Sequence, residues 1–161
     1  MSLYPLPDLV LFESFGSDWN NYQNALYQLF LDKIDRKLSF LGLPIRCRYL
    51  EPVSEMHGSF WHLITSGPGV DEDRIVDFRR CERISWIPHI IQHSGYSEIL
   101  CWENKRESNM NTVLWLPPEQ YMIILSKRKD YYSLTTAYVH DERKGRTNQK
   151  ESSVNRDPRK S

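Results

Sequence analysis

The sequence predicts an α+β domain, with an N-terminal helix and a central helical segment packed on a mainly antiparallel sheet, and a flexible C-terminal tail behind it. Three observations carry this. Apolar residues recur at three- and four-residue steps over residues 17–38. After Pro44 the pattern changes to short runs rich in β-branched and aromatic residues, bounded by breakers. Residues 141–161 hold one aliphatic side chain, Val154, among charged and small polar ones, too little to offset the entropy of ordering. The expected division is residues 1–140 as one domain and 141–161 as tail.

The first element is the clearest. Trp19, Tyr22, Leu26, Phe30, Ile34 and Leu38 fall on one helical face, with Ser17 as N-cap and Gly42, followed by Pro44, as the stop. Spacing of this kind is what packing against a sheet requires, so the aromatic stripe reads as core. Six strands are then expected, over residues 45–50, 60–65, 98–103, 112–116, 121–126 and 131–140. Lys127 to Asp130 should form a hairpin turn that makes the last two adjacent and antiparallel. Between the second and third strands, 66–69 reads as a loop and Asp71 to Asp73 as the acidic opening of a helix. Pro88 should interrupt that helix, leaving pieces near 76–85 and 88–94.

The chain balances 21 Lys plus Arg against 21 Asp plus Glu. The tail carries seven basic and four acidic residues, which leaves 14 basic against 17 acidic in residues 1–140, a net of −3. No apolar run reaches the roughly 18 to 20 residues of a membrane span. The opening Met-Ser-Leu-Tyr-Pro has no basic flank before an apolar stretch, so a cytoplasmic protein is expected. Cys47, Cys81 and Cys101 are odd in number and scattered, which speaks against a disulfide framework and a zinc site. Neither a metal nor a cofactor is expected. The phosphate-cradling, dinucleotide, zinc-protease and nucleophile-elbow motifs have no counterpart here.

Three groups of residues could carry chemistry. His62, on the strand expected over 60–65, shares a face with Phe60 and Ile64; it is either a hydrogen-bonded core residue or a titrating group beside a cleft. Arg79, Arg80 and Arg83 share a helical face, where guanidinium groups can grip a phosphate, or else form a solvated surface paired with Asp73, Asp77 and Glu82. On the final strand, period-two alternation aligns Leu134, Thr136, Tyr138 and His140 about 7 Å apart in successive pairs.

The helix, the motif Phe-Trp-His-Leu-Ile-Thr, the segment Asp77-Phe78-Arg79-Arg80-Cys81-Glu82-Arg83-Ile84 and the closing Leu-Thr-Thr-Ala-Tyr together resemble phage-associated members of the barnase/EndoU/colicin/RelE-like ribonuclease and toxin superfamily. The likeness spans about residues 12–140. It implies metal-independent RNA cleavage by 2′-hydroxyl attack, leaving a 2′,3′-cyclic phosphate and a 5′-hydroxyl. It also implies His62 as acid/base, Arg83 as phosphate clamp, and Thr136 and Tyr138 as orienting groups. Arg79, Arg80 and Lys105 would bind substrate. Superfamily members often use a second His or Lys, for which His57, His89, His140 and Lys105 are open candidates. The implied partners are RNA, with a free RNA such as a tRNA favoured over ribosomal RNA because the body is not basic, and an antitoxin or immunity protein. Two other classes fit less of the pattern: a binding module presenting Trp102, Trp115, Tyr121, Tyr131 and Tyr132, and an ADP-ribosyl transferase, for which no Glu-x-Glu accompanies the last strands.

Overall fold

The computed structural model describes residues 2–67, 74–140 and 156–160. Helix α1 (Trp19–Leu29) starts at Asp18, whose carboxylate accepts the Asn21 N–H at 3.1 Å; Ser17, the expected cap, instead adopts positive φ one residue earlier. The helix continues as a π-helical turn, Phe30–Ile34, and the chain leaves it before Arg36, which has φ +58°. Tyr22, Leu26, Phe30, Ile34 and Leu38 are all buried, as the spacing requires. Gly42 does not stop this helix. With Leu41 it forms the two-residue, positive-φ turn between β1 (Ser39–Phe40) and β2 (Leu43–Cys47).

The second expected strand is a helix. Residues Gly58–Ile64 form α2, and only Thr65–Ser66 is extended, as β3 pairing with β4 (Ile75–Val76). Phe60, Leu63 and Ile64 are the buried hydrophobic residues of α2, spaced i, i+3, i+4, so the apolar run follows the helical period rather than alternation. Gly58 fixes where α2 begins: a Cβ there would lie 2.3 Å from the Glu51 carbonyl oxygen, so only glycine lets the helix start press against that loop.

Helix α3 (Phe78–Glu82) and α4 (Trp86–Gln92) replace the pieces expected near 76–85 and 88–94. The break falls before Pro88, which sits in the first turn of α4. Its missing N–H costs nothing there, because first-turn amides have no intrahelical acceptor. The expected acidic helix opening at Asp71 to Asp73 and the Pro68-Gly69 part of the loop lie outside the described residues.

β5 (Leu100–Arg106), β6 (Asn109–Leu116), β7 (Tyr121–Lys127) and β8 (Tyr132–Val139) form an antiparallel meander. β2 joins β8 in parallel, giving the order β1-β2-β8-β7-β6-β5. The sequence predicts six strands in all; the described residues hold eight, six in the main sheet and two in the β3–β4 pair, with Ser39–Phe40 added at the edge of the main sheet and 60–65 absent from it. The Lys127-to-Asp130 turn holds, closed by the Arg128 N–H donating to the Tyr131 carbonyl at 2.8 Å. Among the described residues, α1 to α4 pack on one sheet face around Phe60, Ile123 and Leu125; the opposite face carries a smaller cluster of Val113, Trp115 and Met122. No helix among the described residues is long and apolar enough to cross a membrane.

Within the segment expected to be a flexible tail, residues 141–155 and 161 lie outside the described residues, but 156–160 are held on β5. The Glu103 N–H donates to the Arg156 carbonyl at 2.8 Å, the Arg156 side chain pairs with Glu103 at 2.9 Å, and Arg159 donates to the Ser94 carbonyl at 2.8 Å.

Candidate functional site

The expected constellation divides between two places. At the first, Asp77 caps α3 by accepting the N–H groups of Arg79 and Arg80. That turn directs the Arg80 guanidinium onto β8. It donates to the Thr65 carbonyl at 2.7 Å and to Thr136 Oγ1 at 3.3 Å, lies 3.6 Å from Asp77, and stacks over the Tyr138 ring at 5.4 Å. Arg80, Thr136 and Tyr138 are thus brought together. Burial lowers the Arg80 pKa from its ordinary value, with Asp77 opposing. Tyr138 in turn donates to Met122 Sδ at 3.6 Å. Arg80 joins α3 to β8 through Thr136 and Tyr138.

A β-bulge lies beside this cluster and corrects one expectation. Ile124 pairs with Thr136 while Leu125 pairs with Leu134, so Thr135 is an extra residue in β8. The alternation therefore breaks: Leu134 enters the main core, and Tyr138 packs with the cluster on the other face. The other arginines do not join Arg80. Arg83 lies over the Trp86 ring at 5.2 Å and donates to the Arg79 carbonyl at 3.1 Å, and Arg79 is exposed. Lys105 is on β5, at the far edge of the sheet.

His62 belongs to the second place. On the last turn of α2, it lines a cleft of about 210 Å³ with Arg48, Ser59 and the β7–β8 turn residue Arg128. The sheet supplies a polar floor. Asn111, Ser126 and Ser133 lie opposite one another on β6, β7 and β8, and the bulge turns Thr135 towards them. Ser126 Oγ donates to Asn111 Oδ1 at 3.0 Å and shares a 2.9 Å hydrogen bond with Thr135 Oγ1. Arg128 donates to Asn109 Oδ1 at 3.3 Å. His62 is held from behind, since its carbonyl accepts from Arg74 at 3.3 Å and Phe60 anchors α2 between Tyr27 and Phe30. A half-buried imidazole, two guanidinium groups and a row of hydroxyls and amides can exchange a proton and hold an anion.

Arg48, Arg128 and the hydroxyl floor did not stand out in the sequence. The signal was the hairpin turn itself: granting it places Ser126 opposite Ser133, and Asn111 falls beside Ser126 once β6 is paired. A second, open groove of about 800 Å³ adjoins the cleft, with Arg48, Leu50 and Ser59 lining both.

The remaining candidates are placed elsewhere. His57 caps α2 with its ring against Tyr27 and Phe30, the His89 ring bonds the Leu3 carbonyl at 2.8 Å, and His140 is buried against Trp115 and Tyr138. Trp115, Tyr121 and Tyr132 are buried, so the sheet does not present them as a stacking surface; Trp102 and Tyr131 are half-buried. Burial pushes the thiols of Cys47, Cys81 and Cys101 up to about 12, so none offers a thiolate at neutral pH. No family model, curated protein or solved structure matches the chain. The chemistry of the two places therefore carries the functional reading.

Proposed function

We propose that the protein is a metal-independent endoribonuclease that works from the His62 cleft. The observation that carries this is the opening of His62 into a polar cleft flanked by Arg48 and Arg128. In this reading His62 takes the proton of a ribose 2′-hydroxyl, and that oxygen attacks the adjacent phosphorus. The bond to the 5′-oxygen breaks and the proton is returned to it, leaving a 2′,3′-cyclic phosphate and a 5′-hydroxyl. Arg48 and Arg128 neutralise the charge that grows on the phosphoryl oxygens, and Ser126, Ser133 and Thr135 orient them. Arg80, Thr136 and Tyr138 act by holding α3 on β8. The substrate would be a cytoplasmic RNA such as a tRNA, and the role toxin-like, restrained by an antitoxin or immunity partner.

One observation favours a second reading, a non-catalytic RNA-binding module. Among the described residues His62 is the one imidazole lining the cleft, so a single side chain must serve as both base and acid.

Incubation of the pure protein with total RNA in excess EDTA separates the two. Cleavage that falls by about 10² to 10⁴ in a folded His62→Ala variant supports the nuclease. Binding without cleavage supports the module, and equal cleavage by both proteins removes His62 from the chemistry.

A further inference from the structure

We propose that the groove of about 800 Å³ beside the His62 cleft is a track for single-stranded nucleic acid, so that the substrate is an unpaired strand several nucleotides long. This rests on the reading of the cleft as a ribonuclease site. Three observations carry it beyond that reading.

The first is continuity. Arg48, Leu50 and Ser59 line both depressions, so a chain whose scissile phosphate sits at His62 runs directly into the groove. The groove has nearly four times the volume of the cleft, about 800 against about 210 Å³. A strand entering from the cleft thus finds room to continue in the groove.

The second is charge. Residues 1–140 carry a net of −3, yet the two depressions together are lined by Arg36, Arg46, Arg48 and Arg128 against Asp35 and Glu55, a net of +2. All four arginines are exposed, unlike Arg80. Positive charge is concentrated where a phosphodiester chain would lie.

The third is an aromatic ring left in solvent. Tyr49, on the groove wall, is 77% exposed, whereas almost every other large ring is packed. Nearby, the Arg46 guanidinium lies over the Tyr131 ring at 5.0 Å, a second flat surface and a cationic one. Bases stack on such surfaces only when unpaired, which favours a single strand over a duplex. An acidic peptide would use the arginines but gain little from Tyr49.

The test uses the full chain and fluorescein-labelled, uncleavable 2′-O-methyl RNA, read by anisotropy. An eight-nucleotide strand should bind at least tenfold more tightly than a dinucleotide and than an eight-pair duplex. With about four phosphates neutralised, the slope of log affinity against log salt is about −2.8, and it should fall to about −1.4 in Arg36→Gln/Arg46→Gln. Tyr49→Ala should weaken the octamer at least fivefold. Circular dichroism melts check folding, and the exposed Tyr49 keeps the test open if the double variant melts early. Equal affinity for octamer and dinucleotide, preference for the duplex, or stronger competition by an octaglutamate peptide would each overturn the track.

Cleavage of unmodified RNA tells the two readings apart. If dinucleotide and octamer are cut with the same kcat/KM, the ribonuclease stands and the track falls. If nothing is cut while the length and salt effects appear, the track stands and the ribonuclease falls.

Discussion

Arg80 and Arg128 show how one residue type serves two ends in this chain. Arg80, on α3, is 13% exposed, and its guanidinium is committed to the Thr65 carbonyl, Thr136 and Asp77. Arg128, at the β7–β8 turn, is exposed, donates to Asn109, and borders a cleft that also holds a half-buried histidine. The first charge is enclosed by partners fixed by the fold, and it shares the buried Thr65 carbonyl with Arg74. The second sits at the rim of a concave polar space, where a ligand can reach it. A cationic cluster in sequence is therefore a weak guide to a phosphate site until the partners of each cation are known.

The largest effect tests what holds His62 in place. Phe60 is fully buried between Tyr27 and Phe30. Phe60→Ala should cost about 3 to 5 kcal/mol, read by urea denaturation, and abolish cleavage with it. Unimpaired stability would mean α2 is held by something other than this ring.

Arg80→Met comes next. Losing its hydrogen bonds to the Thr65 carbonyl and Thr136 and its pairing with Asp77 should cost about 1 to 2 kcal/mol in the same titration, because Arg74 still donates to the Thr65 carbonyl, with cleavage by the folded fraction unchanged. A variant that kept its stability but lost cleavage would reverse the comparison and move the chemistry to the Arg80, Thr136 and Tyr138 cluster. The smallest effect on folding belongs to Arg128→Gln, within about 0.5 kcal/mol of wild type. Its cleavage rate should nonetheless fall about tenfold or more, measured as kcat/KM on a single-stranded RNA. Unchanged cleavage would make Arg128 a surface residue like Arg79.

Much of the scaffold was legible because its signals are local. The stripe from Tyr22 to Leu38 needs only a helical repeat, and the Lys127-to-Asp130 turn only its flanking runs. The stretch 60–65 was misread because its four apolar residues fit both periods, and the close approach of Gly58 to Glu51 at the helix start involves residues outside the run. The candidate site was less legible still. His62 stood out as a residue type, but Arg48, Asn111, Ser126 and Thr135 come from four other segments and meet it only after the sheet is paired and the bulge at Thr135 is in place.

By itself the sequence determined the α+β class, the core stripe of α1, the order of the closing strands and a short list of chemistry-bearing residues. These follow from periodicity and turn chemistry, which act over a few residues. Tertiary structure alone decided which arginines are enclosed and which are open to a ligand, because that depends on partners brought together from distant segments. It therefore separated Arg80 from Arg128 and set His62 facing a cleft rather than the core.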